Sequence, residues 1–213
     1  CKIIEINKED AYVIVQPGVI RDELNLKLKE YGLFYGPETS TSNRCMIGGM
    51  IGNNSCGSRS LIYGSAREHL KSIKVILADG KETEFKAIST KVFEEKANGI
   101  GTVSALETNI YKHAKTLFSN QENRTEIERE FPKKSIPRRN TGYALDLLSD
   151  TSPFSNTEEQ FNFCKLLAGS EGTLAFTTEI KLNLVPLPKE HQALICIHFD
   201  SINESLKGNL EAL

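Results

Sequence analysis

Between Glu38 and Ser58 the chain reads ETSTSNRCMIGGMIGNNSCGS, with four glycines, six serines or threonines, three asparagines and almost no charge. Glycine is costly inside helices, and strands favour β-branched and aromatic residues. A stretch of this composition is either a long surface loop or backbone that something else approaches closely. Glycine leaves space beside its N–H because it has no Cβ, and successive N–H groups in a turn form a nest for anions. Gly48, Gly49, Gly52 and Gly57 are the points of close approach, and Asn53, Asn54 and Ser55 add neutral hydrogen-bonding groups. The stretch has no lysine for a Walker-type phosphate clamp and no GxGxxG fingerprint. A neutral loop of this kind suits a large, mostly aromatic cofactor with a diphosphate better than a free triphosphate. A purely structural glycine-rich loop reads the same way, and both readings stand at this level.

The rest of the chain can support a core. It has 213 residues, 39% of them apolar before its 15 glycines are counted, which is a globular composition. The net charge of −2, from 26 basic and 28 acidic residues, gives no global attraction to nucleic acid or anionic membrane. The one local basic excess runs from Lys112 to Arg139 and reads most simply as a solvated helical face. Five cysteines, at positions 1, 45, 56, 164 and 196, include no CxxC pair. They spell out neither a disulfide framework nor a metal or cluster site, and reduced cytosolic thiols are the simplest account. No apolar run approaches the length of a membrane span.

Period and punctuation predict the elements. KIIEI begins the chain as an apolar–polar stretch, and AYVIVQPGV is a strand closed by Pro17-Gly18. Ile20, Leu24, Leu28 and Tyr31 share a helical face that stops at Gly32. IKVILADGKETEF is a hairpin about Asp79-Gly80. Residues 91–98 and 103–131 are expected to be helical with a break at Asn120, and residues 158–168 are expected to form another helix. RRNTGYALDLL is a turn at Thr141-Gly142 running into an apolar segment. Leu174, Phe176, Ile180, Leu182 and Leu184 alternate, which predicts a long half-buried strand ended by Pro186 and Pro188. ALICIHF is expected to be a further strand. A helix follows, with a Ser201/Glu204 capping box and Leu206, Leu210 and Leu213 in helical register. The ends read as a fragment of a longer chain, with a second domain opening near residue 189. The order is α+β with antiparallel pairing rather than regular βαβ.

A second glycine cluster, Gly169-Ser170-Glu171-Gly172-Thr173, lies between a predicted helix and the long strand. Alone it reads as a tight turn with Glu171 in solvent. Together the pieces carry more. GPETSTSNRCMIGGMIGNNSCGS, IYG, VILADG, GYALDLL and GSEGTLAF…EIKLNLVPLP follow in one order. In that order the chain resembles the FAD-linked oxidases of the vanillyl-alcohol-oxidase type, with a PCMH-type FAD-binding domain. Within them it is similar to the D-lactate, glycolate and D-2-hydroxyglutarate dehydrogenase branch. IGNNSCGSRSLIYG is similar to the long members that carry an iron–sulfur domain after the flavin part. The resemblance covers residues 11 to about 188.

The resemblance implies that residues 1–188 form the second subdomain of an FAD-binding domain whose first subdomain precedes Cys1. Residues 189–213 would begin a substrate or cap domain, and any iron–sulfur cluster would lie beyond it. Pro37, Glu38, Thr39, Ser40, Thr41, Ser42 and Asn43 would line FAD, with Ser40 and Ser42 as hydroxyl donors. Ile47, Gly48 and Gly49 would present backbone to the diphosphate and ribityl region, and Gly52, Asn53, Asn54 and Ser55 would continue toward the ring. Gly57, Tyr63 and Gly64 would close that wall. Glu171, Gly172 and Ile180 would face the adenine–ribose side. Some relatives attach flavin to a histidine in the glycine loop; this loop has none, so noncovalent FAD is expected. Ala175 replaces the usual last glycine of GTLG.

The implied reaction is oxidation of a D-2-hydroxy acid by hydride transfer to flavin. A quinone, a cytochrome or another carrier would take the electrons, in the cytoplasm or at the inner face of a membrane. The substrate carboxylate calls for a cation, best a bidentate arginine; Arg138 and Arg139 are candidates, each also readable as a surface or structural residue. Tyr143 could line the pocket or pack in the core. His69, His113, His191 and His198 are scattered, and none is assigned as base; His198, in the ALICIHF segment, reads as a core histidine. The base and any metal ligands are expected outside this chain. Two alternatives stay open: an NADPH-dependent flavoprotein like the enolpyruvyl reductases, and a structural module with no cofactor.

Overall fold

The computed structural model describes residues 1–136, 139, 142–189, 191 and 193–212. Five strands form one antiparallel sheet: β1 (Ile3–Asn7), β2 (Tyr12–Val15), β4 (Leu70–Ile76), β5 (Glu82–Lys86) and β6 (Phe176–Asn183). Their order is β1-β2-β6-β4-β5. A two-stranded ribbon pairs β3 (Leu33–Phe34) with β7 (Val185–Pro186). The α+β class with antiparallel pairing is therefore borne out. β6 enters between β2 and β4, about a hundred residues after β4, and its register fixes the core. Ile180 stands opposite both Val15 and Ile73, and Leu182 opposite Val13 and Leu70. All six side chains are buried. β2 and the end of β6 alternate inward and outward, and an irregularity at Leu70–Ser72 lets β4 bury both Leu70 and Ile73, so a slip of one residue in β6 would turn this apolar row to water.

Helix α1 (Arg21–Leu28) follows β2 and buries Leu24 and Leu28. A 3-10 turn over Lys29–Tyr31 continues it, and Gly32 ends it in the left-handed region at φ 72°, as its position after Tyr31 predicts. The Asp79-Gly80 hairpin joins β4 to β5 as expected.

Helices α5 (Thr90–Ala97), α6 (Ala105–Ser119) and α7 (Gln121–Glu130) form an annex after β5. Asn120 is the break between the last two. It ends α6 and caps α7, its Oδ1 accepting from the Glu122 and Asn123 N–H groups at 2.8 and 3.2 Å. Phe93, Tyr111, Phe154, Phe161 and Phe163 lock the annex together edge-to-face, with ring centroids 4.7 to 5.6 Å apart for neighbouring pairs such as Phe93–Phe161 and Phe93–Tyr111. Phe163 meets Phe85 of β5 in the same way. Such contacts add about 0.5–1.5 kcal/mol each beyond burial.

Several expectations need correction. Residues 158–168 are not one helix. Ile88 donates its N–H to the Phe161 carbonyl at 2.9 Å in an isolated bridge, and only Cys164–Leu167, α9, is helical. Phe161 and Phe163 both point inward, a period of two that the aromatic cluster imposes over the helical reading. The segment after Gly142 is the one-turn helix α8 (Leu145–Ser149); Thr141 lies outside the described residues. The long alternating strand is half-buried only toward its end: Leu174 and Phe176 are exposed, and Pro186 lies within β7. Residues 193–199 form no strand, because no described neighbour pairs with them, and His198 is exposed rather than a core residue. Helix α10 (Ile202–Ala212) does follow, with the Glu204 N–H on Ser201 Oγ at 3.2 Å. Leu206 and Leu210 are exposed on it, and Leu213 lies outside the described residues.

Tyr35 gives a direct test of the core. Its side chain is fully buried and its hydroxyl has no hydrogen-bond partner among the described residues; burial pushes the phenol pKa up. An unmet buried hydroxyl costs about 1–3 kcal/mol. Tyr35→Phe keeps the ring and removes that cost, so chemical denaturation should show equal or higher stability, by about 1 kcal/mol. A loss of stability would mean that the hydroxyl has a partner.

Candidate functional site

The small-residue stretch is a closed excursion, and it is not all loop. Its ends meet where Glu38 Oε1 accepts from Ser58 Oγ at 2.5 Å and from the Arg59 N–H at 3.3 Å. Those hydrogen bonds, the one from Ser58 first, hold the Glu38 carboxyl below the usual range against its partial burial. The stretch contains α2 (Ile47–Gly52), and α3 (Ser60–Tyr63) follows it. The glycine-poor expectation for helices fails here because α2 is held by its neighbours. Arg21 Nε donates to the Pro37 carbonyl at 2.9 Å, and Ser42 Oγ donates to Asp22 at 2.8 Å. The Ile47 and Gly48 N–H groups donate to the Val19 and Pro17 carbonyls at 2.9 and 2.7 Å.

These contacts sort the predicted site residues. Pro37, Ile47, Asn54 and Ser55 are buried. Ser42 spends its hydroxyl on Asp22, while Ser40 and Asn43 stay exposed. Thr39 and Thr41 bond each other at 3.3 Å. Asn54 Oδ1 accepts the Arg67 N–H at 2.9 Å, and Asn53 Nδ2 reaches Ser55 Oγ at 3.1 Å. Ile180 is at the centre of the sheet with no exposed surface. Its assignment to the adenine–ribose side is therefore corrected: a side chain buried between β2 and β4 cannot face a ligand.

The glycines divide in the same way. A Cβ on Gly48 would stand 2.6 Å from Pro17 Cβ, and one on Gly57 would strike Glu38. Both are glycine because protein packs against them. A Cβ on Gly49 would meet nothing within 4 Å, and the same holds for Gly172. Gly52 lies between them in ordinary contact with the Glu171 backbone.

The two glycine clusters, far apart in sequence, are hydrogen-bonded to each other. The Gly169 N–H donates to the Ile51 carbonyl and the Glu171 N–H to the Gly52 carbonyl, both at 2.9 Å. Helix α4 (Ala66–His69) holds this seam from behind. Buried Arg67 donates from Nε and Nη2 to the Ala168 carbonyl at 3.1 and 2.5 Å, and from Nη2 to the Gly142 carbonyl at 2.9 Å. Burial, with a smaller push from the Arg139 charge, lowers its pKa to about 10. Gly169 must lack a Cβ, which would sit 2.7 Å from Arg67 Nη2. His69, also buried, lies between the Tyr63 carbonyl at 2.7 Å and the Asn183 carbonyl at 3.0 Å. It thereby ties Tyr63 and Gly64, the end of the predicted wall, to β6.

Sequence reasoning missed Arg67. Its only local signal is the Ser65-x-x-Glu68 capping box, which the structure forms, and which places residue 67 in a first helical turn. Tyr143 is neither core nor isolated. It is half-exposed, and its hydroxyl shares a 2.6 Å hydrogen bond with Thr173 Oγ1 of the second cluster. Arg139 is ion-paired with Asp146, and Arg138 lies outside the described residues. A cavity of about 490 Å³ runs from Asn54 and Gly64 past Arg67 to Arg139 and Asp146. Among the described residues no group of three His, Cys, Asp or Glu side chains could hold a metal, and no helix is long and apolar enough to cross a membrane.

Residues 1–86 match the family described as FAD binding domain. The D-2-hydroxyglutarate dehydrogenase of Pantoea ananatis (strain AJ13355) is 36% identical over 207 residues, covering 97% of this chain and 19% of that protein. The enzyme of the same name from Escherichia coli (strain K12) is 34% identical over the same coverage. The glycolate oxidase subunit GlcD of Bacillus subtilis (strain 168) is 40% identical over 79 residues, 37% of this chain and 17% of that one. The chain thus spans about a fifth of the length of the first two relatives. With the glycine seam, the antiparallel sheet and these matches together, residues 1–86 belong to the FAD binding domain family, and almost the whole chain is similar to one stretch of the D-2-hydroxyglutarate dehydrogenases.

Proposed function

We propose that the chain supplies one wall of the flavin site in an FAD-dependent 2-hydroxy-acid dehydrogenase. The observation that carries the proposal is the seam: two glycine clusters bonded to each other, with clear space over Gly49 and Gly172. That surface fits FAD, because a diphosphate or ribityl chain needs backbone it can touch without a Cβ between. Gly49, Gly52, Glu171 and Gly172 would hold it along the seam. Ser40, Thr39 and Asn43 flank the seam from the same excursion, and Tyr63 and Gly64 close its far end. Ile47, Gly48, Asn54 and Ser55 act from beneath, since their N–H groups or side chains serve the protein itself. No histidine lies between Glu38 and Gly64, which supports noncovalent binding to that stretch.

Bound FAD supplies the hydride acceptor for oxidation of the hydroxy acid to the keto acid. The residues of this chain orient and enclose. Arg67 keeps the seam closed, and the Tyr143–Thr173 pair fixes the turn beside it. Arg139 is less suited to holding a substrate carboxylate than its sequence position suggests, because Asp146 already neutralises it. The names of the relatives that cover almost the whole chain favour D-2-hydroxyglutarate as substrate.

A visible absorption spectrum of the full-length protein tests this reading. A flavin band that bleaches on adding D-2-hydroxyglutarate is the expected result. A band that D-2-hydroxyglutarate, D-lactate and glycolate all leave unchanged would remove the substrate class. A colourless protein that takes up no added FAD would remove the cofactor.

A further inference from the structure

We propose that a second cavity, between α7 and α8, binds a small oxyanion through arginine. The cavity measures about 460 Å³, within the range of small-molecule sites. Three buried side-chain polar atoms lack a hydrogen-bond partner among the described residues. One is the Tyr35 hydroxyl in the core. The other two are the Nε atoms of Arg124 and Arg139, and both arginines line this one cavity.

A guanidinium presents Nε–H and an Nη–H as a planar edge that matches a carboxylate or phosphate. A buried donor with no acceptor is unfavourable, so the open edge of Arg124, facing the same cavity as the unmet Nε of the Asp146-paired Arg139, marks where an acceptor belongs. The local charge agrees. Asp150 pairs with Lys134 at 2.6 Å, and Asp146 pairs with Arg139. Arg124 and Lys133, and Glu128 opposite them in charge, line the cavity with no ion pair among the described residues. The lining therefore carries four basic and three acidic side chains, one positive charge in excess.

This site adjoins the cavity beside the glycine seam, sharing Lys134, Arg139 and Asp146 with it, and differs from it at Arg124. Arg124 lies on α7, in the annex that begins after the FAD binding domain match ends at residue 86. It lines the α7 cavity and not the one that reaches Asn54 and Gly64.

The test uses the full-length protein with its flavin content followed by absorption. Inorganic phosphate and succinate are titrated by calorimetry, with potassium chloride at matched ionic strength as the control. Saturable binding of phosphate or succinate beyond the chloride control is expected, and whichever of the two binds identifies the phosphate or the carboxylate as the ligand group. Arg124→Gln should weaken it by about tenfold or more, with the flavin spectrum unchanged. Lys133→Gln, on an exposed side chain, should weaken it by roughly threefold through charge alone, and guards against a folding defect in the first variant. Absence of saturable binding in the parent protein overturns the proposal. So does an affinity that survives both substitutions.

Discussion

Gly49→Val is expected to leave the fold intact and to abolish most flavin binding. The fold should tolerate it because a Cβ at Gly49 meets nothing within 4 Å, and valine is no worse than glycine in a helix. The cofactor should not tolerate it, because the proposed contact uses that same space. Overpacking a close contact costs about 1–3 kcal/mol, so the dissociation constant for FAD should rise by roughly tenfold to a hundredfold. Gly48→Val is the contrast. Its first carbon would stand 2.6 Å from Pro17 Cβ and 3.2 Å from the Pro17 carbonyl oxygen. It should lower thermal stability by about 1–3 kcal/mol before any question of cofactor arises. Flavin titration and thermal denaturation of both variants in the full-length protein separate the two effects. Unchanged FAD affinity in Gly49→Val would remove the cofactor from this face of α2.

That pair of glycines shows where the sequence stops being informative. The composition of residues 38–58 marks backbone of an unusual kind, and the structure agrees. Which glycine serves packing and which stands open depends on Pro17, some thirty residues earlier, and no local pattern encodes that. The elements that were legible are those whose cause is local. Gly32 ends α1, Asp79-Gly80 turns the hairpin, and Asn120 caps α7 with its own side chain. Residues 158–168 misled because Phe161, Cys164 and Leu167 satisfy a helical spacing while Phe161 and Phe163 also satisfy a strand spacing. The edge-to-face cluster decided between them. Residues 193–199 are the short apolar run of a strand, but a strand also needs a neighbour to satisfy its backbone. Arg67 escaped notice because its acceptors, Gly142 and Ala168, are 75 and 101 residues away. The order of the glycine motifs pointed to the right family while leaving Ile180, buried under the sheet, on the wrong side of the site.

The largest loss of stability is expected from Glu107→Ala. Glu107 has no exposed surface, and its carboxylate accepts from three donors: Lys96 Nζ at 2.8 Å, Thr83 Oγ1 at 3.1 Å and the Val103 N–H at 2.8 Å. Lys96 also reaches the Gly101 carbonyl at 3.1 Å and lies over the Tyr111 ring. One carboxylate thus joins α5, α6 and β5. Removing it strands a largely buried ammonium and a buried hydroxyl, and breaking such a pair from one side costs about 3–5 kcal/mol. The pair itself is worth far less, since its Coulombic gain offsets the desolvation of both charges. Lys96→Met combined with Glu107→Leu should therefore recover most of the loss, and the double mutant separates the cost of an orphaned charge from the value of the bridge. The flavin seam adds a second discriminating readout. Its hydrogen bonds come from α2, Arg67 and residues 169–171, none of which touches Glu107. FAD affinity at a temperature where the variant remains folded should therefore change little while urea denaturation shifts sharply. If Glu107→Ala costs under about 1 kcal/mol, the carboxylate is solvated like a surface ion pair, and the annex is held by its aromatic rings alone.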